Sequence, residues 1–318
     1  MATSPDASPA GQERPSGRRY GRWAAGPLLG QGSLGRVYLA HDGAGRAASL
    51  RVVRASLARD PSFRTRFARE VLALGAVRGR GVAALLDADA YGAAPWLAVE
   101  YVAGPTLAAR VGKGGGPLGT AGLRVLASAL AGALDDIHRA GLVHGGLRPS
   151  NVLLSADGPR VTDFGVSAGA DVTAGAEAET PGFTAPETLA QGVAKPPADI
   201  FSLGAVLAYA AAGRGPFEPG DGNGDDVPEV QGPTGALGPP GVPDLTGVPE
   251  ELLPLVTACL SRHPAARPAP RTIARMAGLP LPGSRRRALT LADTLFLAQL
   301  AVAAYPLGGR WEGRTGVR

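Results

Sequence analysis

The placement of Asn151 and Asp163 constrains this chain of 318 residues more than any other feature. Asn151 closes the run His144-Gly145-Gly146-Leu147-Arg148-Pro149-Ser150-Asn151, and Asp163 opens Asp163-Phe164-Gly165. Between them, Asn151–Leu154 reads as a short strand, Asp157 falls in a turn, and Pro159–Thr162 reads as a second strand. An amide oxygen and a carboxylate therefore flank one strand-turn-strand unit. Both are hard oxygen donors of the kind that light divalent cations take. An aspartate before glycine also suits a plain turn, so the rest of the chain has to decide between the two readings.

Further motifs follow in a fixed order. Upstream, Gly30-Gln31-Gly32-Ser33-Leu34-Gly35-Arg36-Val37 has the form G-x-G-x-x-G-x-V. Such a loop lets backbone N–H groups approach phosphate oxygens without side-chain clash. An ordinary glycine-rich hairpin has the same look, and glycine is abundant here. Order and spacing separate the two. A strand at Ala48-Ser49-Leu50-Arg51 comes next, then a helical stretch from Phe63 to Leu74 that carries Glu70. A buried strand follows at Trp96–Val102. After Asp163-Phe164-Gly165 come Thr180-Pro181, Ala185-Pro186-Glu187, the helix start Asp199-Ile200-Phe201-Ser202-Leu203-Gly204, and Arg267.

This series resembles the protein kinases, whose patterns include H-R-D-L-x-x-x-N, D-F-G and A-P-E. The wording is most similar to bacterial Ser/Thr kinases of actinobacterial type, over about residues 20–280. The resemblance implies an α+β, two-lobed protein kinase-like fold, with a small β-rich N-lobe (about 20–101) and a larger helical C-lobe (about 102–280). It implies ATP and Mg²⁺ as cofactors and a protein as acceptor or partner. By resemblance, Gly30, Gly32, Gly35, Val37, Ser49, Arg51, Glu100, Val102 and Leu153 would bind ATP, and Asn151 and Asp163 would hold the metal. Glu70 would be the helix glutamate that pairs with the strand cation. Arg267 would pair with Glu187. Val99 would be a small gatekeeper.

Four positions depart from the pattern. Gly146 stands where the family has its catalytic Asp, and glycine can neither take nor orient a proton. A positioned base contributes ~10²–10⁴-fold, and no neighbouring carboxylate replaces it: Asp157 is in the turn and Asp163 is committed to metal. Arg51 stands where the family has Lys. A guanidinium is bulkier than an ammonium, so Arg51 could pair with Glu70 yet misplace the phosphates. Arg148 also replaces a Lys, but keeps the charge that faces the transferred phosphate. Lys113 and Lys195 are the only lysines, so a general drift to arginine accounts for both exchanges. Gly145 replaces the Arg that receives a phosphorylated activation loop, so a phosphate at Thr173 would lack its usual partner.

The expectation is a catalytically impaired, nucleotide-binding regulator or scaffold, a pseudokinase. The alternatives are a weakly active ATP-dependent Ser/Thr kinase and an interaction module that needs no nucleotide.

Outside this region the chain says less. Residues 1–19 read as a disordered leader without a signal-peptide core. Cys259 is the only cysteine, which excludes an internal disulfide and fits a cytoplasmic setting. Residues 218–243 are dense in Gly and Pro and read as a loop where the family has a helix. Arg285-Arg286-Arg287 precedes an apolar run, 288–307, long enough to span a membrane. Asp293 lies near its start, and an amphipathic helix packed on the C-lobe is the other reading. The net charge of +5 is spread along the chain without aromatic interleaving, so no nucleic-acid partner is expected.

Overall fold

The computed structural model describes residues 17–32, 34–164, 181–217 and 241–279. They divide into two units. The first holds the described chain up to Leu72 together with Ala84–Tyr101, and the second holds Ala73–Ala83 and everything from Val102 onward.

The first unit is a six-stranded antiparallel sheet: β1 (Arg19–Tyr20), β2 (Trp23–Gln31), β3 (Gly35–His41), β4 (Ala47–Val53), β5 (Leu85–Asp89) and β6 (Trp96–Glu100), in the order β1-β2-β3-β4-β6-β5. Its core is made of Trp23, Ala25, Ala40, Ala48, Leu50, Trp96 and Ala98. Two tryptophans against small alanines let the layer close without voids. The Trp23 indole N–H donates to Asp87 Oδ2 at 3.1 Å, so its ring is buried without an orphaned donor.

Two helices follow β4: α1 (Ala55–Ala58) and α2 (Pro61–Leu74). α2 starts two residues before the expected Phe63. Asp60 Oδ1 accepts the Ser62 N–H at 2.9 Å, and Pro61 presets the first turn. Phe63 and Phe67, one turn apart and buried, stack at 5.6 Å between centroids.

The second unit is mainly helical: α3 (Leu107–Arg110), α4 (Thr120–Arg139), the hairpin β7 (Val152–Ser155) and β8 (Gly158–Val161), then α5 (Pro186–Gln191), α6 (Pro196–Ala212), α7 (Leu253–Cys259) and α8 (Pro270–Met276). α4 is rich in Ala and Leu, good helix formers. It buries Leu123, Leu126, Leu130, Leu134 and Ile137 along its length. Gly204 of α6 is needed for close approach to α7, since a Cβ there would lie 2.7 Å from Cys259 Cβ. Burial pushes the Cys259 thiol up to about 12, so this cysteine is apolar filler, as expected.

One boundary differs from the sequence reading. Residues 73–83 belong with the helical unit rather than with the N-terminal sheet. Backbone bonds explain this: Ala83 N–H donates to Val161 O at 3.0 Å, and Val161 N–H donates to Gly81 O at 2.7 Å. The glycine at 79 also admits Asp136, whose carboxylate fills the place of a Cβ.

The flanks of the Gly/Pro-rich stretch are tied together. Asp244 N–H donates to Pro216 O at 2.7 Å, Arg214 pairs with Asp244, and Phe217 stacks on Phe201. Residues 241–243 form no helix or strand. Residues 218–240, most of the leader, Gly165, Thr173, Thr180 and the apolar run 288–307 lie outside the described residues. No helix among the described residues is long and apolar enough to cross a membrane.

Candidate active site

The residues singled out by sequence fall in both units. In the sheet, register places Val37 opposite Arg51 and Ser49 opposite Val99. Ser49 and Arg51 are two apart, so Val37, Ser49, Val99 and Arg51 share one face. Leu50 and Ala48 point the other way, into the core. The strand pattern thus presents the expected nucleotide-facing residues together.

The three motif glycines differ in kind. Among the described residues a Cβ on Gly30 or Gly32 would meet nothing within 4 Å, while a Cβ on Gly35 would lie 1.9 Å from Val52 O and 3.0 Å from Arg54 N. Gly35 is therefore required by the closeness of β3 to β4, a structural duty that its neighbours Gly30 and Gly32 do not share. Gly30 and Gly32 leave open room above the backbone. Arg54 pins the loop between them and Gly35, its guanidinium donating to Gly32 O at 2.7 Å. Gly35→Ala is expected to destabilise the protein by about 1–3 kcal/mol through overpacking. Gly30→Ala should leave the urea midpoint unchanged, and an equal loss in both would refute this division of roles.

Glu70 is half-buried on α2. Burial raises its carboxyl to about 7, against the opposing charges of Arg66 and Arg69 on its own helix. Glu100 ends β6, and its N–H donates to Ala84 O at 2.8 Å. Val102, just beyond, is buried. Leu153 sits on β7, half-buried and bridged to Thr106.

In the helical unit, the loop from His144 to Asn151 is held from below by Asp199 in the first turn of α6. Asp199 is 1 % exposed. Its Oδ2 accepts the His144 N–H at 2.8 Å and meets His138 Nε2 at 2.7 Å, and its Oδ1 accepts the Gly145 N–H at 2.9 Å. Three partners satisfy this buried carboxylate. His144 is fully buried, and burial lowers its imidazole below the usual range despite the opposing charges of Asp199 and Asp163. Its neutral Nδ1 accepts the Gly146 N–H at 3.3 Å. Its ring lies 6.4 Å from Phe164, which is also buried.

Gly145 is exposed, with φ of +72°. Gly146 has no such backbone demand, and a Cβ on it would meet nothing within 4 Å among the described residues. Asn151 Nδ2 donates to Gly146 O at 2.8 Å. The amide of Asn151 thus spans the loop, and its Oδ1 is the end left for a cation. Arg148, two residues beyond Gly146, is half-buried. Asp163 has φ of +64° and is the one non-glycine with positive φ among the described residues. A side chain held in that sparsely populated region marks a position fixed by its surroundings. Thr162 Oγ1 donates to Asp163 Oδ1 at 3.3 Å.

The donor set bears on the metal that the motif implies. No group of three or more His, Cys, Asp or Glu side chains among the described residues could hold an ion. One carboxylate and one amide oxygen fit Mg²⁺ when phosphate oxygens and waters complete the octahedron, the usual habit of that ion.

Further from the loop, Arg267 forms the expected pair with Glu187 through Nη1 at 2.5 Å and Nη2 at 2.8 Å. Asp199 and His138 were missed as loop supports. Only the acidic residue in the first turn after Pro196-Pro197 hinted at the first.

A family model described as "Protein kinase domain" matches residues 23–277. The serine/threonine-protein kinase AfsK of Streptomyces griseus is 42% identical over 259 residues, 79% of this chain and 31% of that protein. A probable serine/threonine-protein kinase, PkwA of Thermomonospora curvata, is 41% identical over 254 residues, 79% of this chain and 33% of that protein. The chain thus spans about a third of the length of these curated relatives. The crystal structure of the Mycobacterium tuberculosis PknI kinase domain superposes with a TM-score of 0.64 at 24% identity, covering 83% of this chain and 98% of that one.

Proposed function

This chain belongs to the protein kinase family, and from that premise we propose that it is a Ser/Thr-type kinase domain impaired in phosphoryl transfer. It binds ATP·Mg²⁺ and acts as a regulator or scaffold. The observation that carries this reading is Gly146: an ordered catalytic loop with no proton acceptor at its tip.

Each residue has a stated share. Gly30 and Gly32 leave room for phosphates to approach the main chain. Asp163 and Asn151 would hold the ion. An ion held there would supply neutralisation of the negative charge on the phosphates. Arg148 would face the phosphate being transferred. At Gly146 nothing takes the proton of the incoming hydroxyl, so the step lacks ~10²–10⁴-fold of assistance. Arg51 adds a second deficit by placing a planar fork where a compact ammonium suits the phosphates and Glu70.

A weakly active kinase is the second reading. The bond from Asn151 to Gly146 O and the Asp199 clamp favour it, because they keep the positioning apparatus in order. Positioning alone contributes substantially to phosphoryl transfer.

Two measurements test the proposal. ATP with Mg²⁺ is expected to raise the melting temperature by a few degrees at about 100 times the dissociation constant. Neither Mg²⁺ alone nor ATP with Asp163→Asn should do so. Absence of any shift in the native protein would favour a nucleotide-independent module. Rapid incorporation of γ-phosphate into a generic protein acceptor, abolished by Asp163→Asn, would instead establish an active kinase.

A further inference from the structure

Charge is segregated along this chain. Between Arg51 and Arg80 the bases are all arginines, and only Asp60 and Glu70 oppose them. Residues 215–261 hold acids and no Lys, Arg or His. Part of the first group is displayed by α2. Arg66, half-buried, Arg69, exposed, and Leu72, 73 % exposed, follow at three-residue spacing along one side of the helix, away from the buried Phe67. The Arg66 guanidinium lies 6.0 Å from the Phe63 ring centroid, which anchors its stem. The acids nearby do little to neutralise this side. Asp60 accepts the Ser62 N–H at the helix start. Burial raises the Glu70 carboxyl to about 7, so near neutral pH it carries only part of a charge.

Glu218, Asp221, Asp225, Asp226 and Glu229 lie in the second group, with Val227 and Val230 among them. The described chain on either side of them is joined. Asp244 N–H donates to Pro216 O at 2.7 Å, and Arg214 pairs with Asp244. The chain thus leaves and rejoins the helical unit at one place, and the arginine there already has its carboxylate.

We propose that the side of α2 formed by Arg66, Arg69 and Leu72 is a docking surface for the acidic stretch 218–230 of a second copy of this chain. The guanidinia meet its carboxylates, and Leu72 meets its valines. Lipid headgroups would also be drawn to a cationic face, but every copy of this chain carries the acidic and apolar complement in its own sequence. The contact is head-to-tail: each pairing leaves one α2 and one acidic stretch unused, so assembly can grow past a dimer. Exposed ion pairs are individually weak and screened by salt, which makes the association weak and salt-sensitive. It requires no phosphoryl transfer and stands independently of the catalytic reading.

Sedimentation velocity of the full chain over a micromolar concentration series tests the contact. At low ionic strength the average mass is expected to rise with concentration above that of a monomer. Raising NaCl to about 1 M shortens the screening length to about 3 Å and should weaken association about tenfold or more. Arg66→Glu with Arg69→Glu should leave a monomer at low ionic strength, and so should Asp225→Arg with Asp226→Arg. Mixed one to one, the two variants should associate again, because the reversed α2 of one matches the reversed stretch of the other. Arg69→Glu alone, at an exposed site, should weaken association and decides the matter if the first double variant does not fold.

A native chain that stays monomeric at low ionic strength overturns the proposal. So does association that survives either charge reversal, or a mixture of the two variants that remains monomeric. A monomer that expands as salt is raised would place the acidic stretch on its own copy instead. Capture of a monomeric chain by phosphatidylserine vesicles, lost with Arg66→Glu and Arg69→Glu, would assign the face to a membrane and refute the self-contact.

Discussion

Gly146→Asp combined with Arg51→Lys is expected to raise γ-phosphate transfer by about 10²–10⁴-fold over the native chain, the range a positioned base supplies. The site is prepared for the first change. Gly146 has no left-handed backbone to strain, and an added Cβ meets nothing within 4 Å among the described residues. Asn151 and Asp199 already hold the main chain on either side. The second change returns a compact ammonium to the face shared with Val37 and Ser49, where it would offset the burial that now raises Glu70 to about 7. Each single variant is expected to gain less than the pair, and steady-state transfer to a generic acceptor reads the difference. A doubly restored protein no faster than its parent would mean that these two losses do not limit the reaction. Gly145 is a different case. Its φ of +72° suits glycine, and any L side chain there carries roughly 1–2 kcal/mol of strain.

Arg267→Ala is expected to destabilise the protein by about 3–5 kcal/mol at pH 7, the range for breaking one partner out of a buried pair. The Arg267 side chain is fully buried. It donates to both oxygens of Glu187, to Pro197 O at 2.8 Å and, through Nε, to Ser261 O at 2.8 Å. Its guanidinium lies 5.1 Å from the Phe201 ring centroid. One substitution therefore strands a carboxylate and two carbonyls and uncovers an aromatic face. The pH dependence gives an independent check. Burial alone would raise the Glu187 carboxyl, but the hydrogen bonds and charge of Arg267 outweigh it and hold the group below its usual 4.5. Stability from the pair is thus present above that value and lost as pH falls through the lower, folded one. The gap between native and variant in urea unfolding should narrow in acid. A gap of equal size at pH 7 and pH 3 would show that packing, rather than the ion pair, sets the loss.

Much of this was legible in the sequence for a physical reason. Strand alternation around Ser49 and Arg51 encodes which face is buried, and the helical spacing of Phe63, Phe67 and Leu74 encodes α2. The pairing of Arg267 with Glu187 followed from the motif order. What escaped was tertiary hydrogen bonding. Asp199 reaches the loop across 55 residues of sequence, and nothing local to either partner announces it. The attachment of residues 73–83 to β8 was hidden likewise, because backbone groups make those bonds and backbone groups are the same in every sequence. Gly35 looked like its neighbours Gly30 and Gly32. Only the nearness of the Val52 carbonyl, set by strand packing, distinguishes it.

The clamp of Asp199 on two main-chain amides has a mutational consequence. Peptide N–H groups cannot be removed by exchanging side chains, proline excepted. Substitutions at 146, whose backbone makes no demand for glycine, can therefore accumulate while the α6 anchor keeps the loop's shape. Architecture and reactivity are inherited separately here, and the tip of the loop is the part of this fold most open to change without collapse.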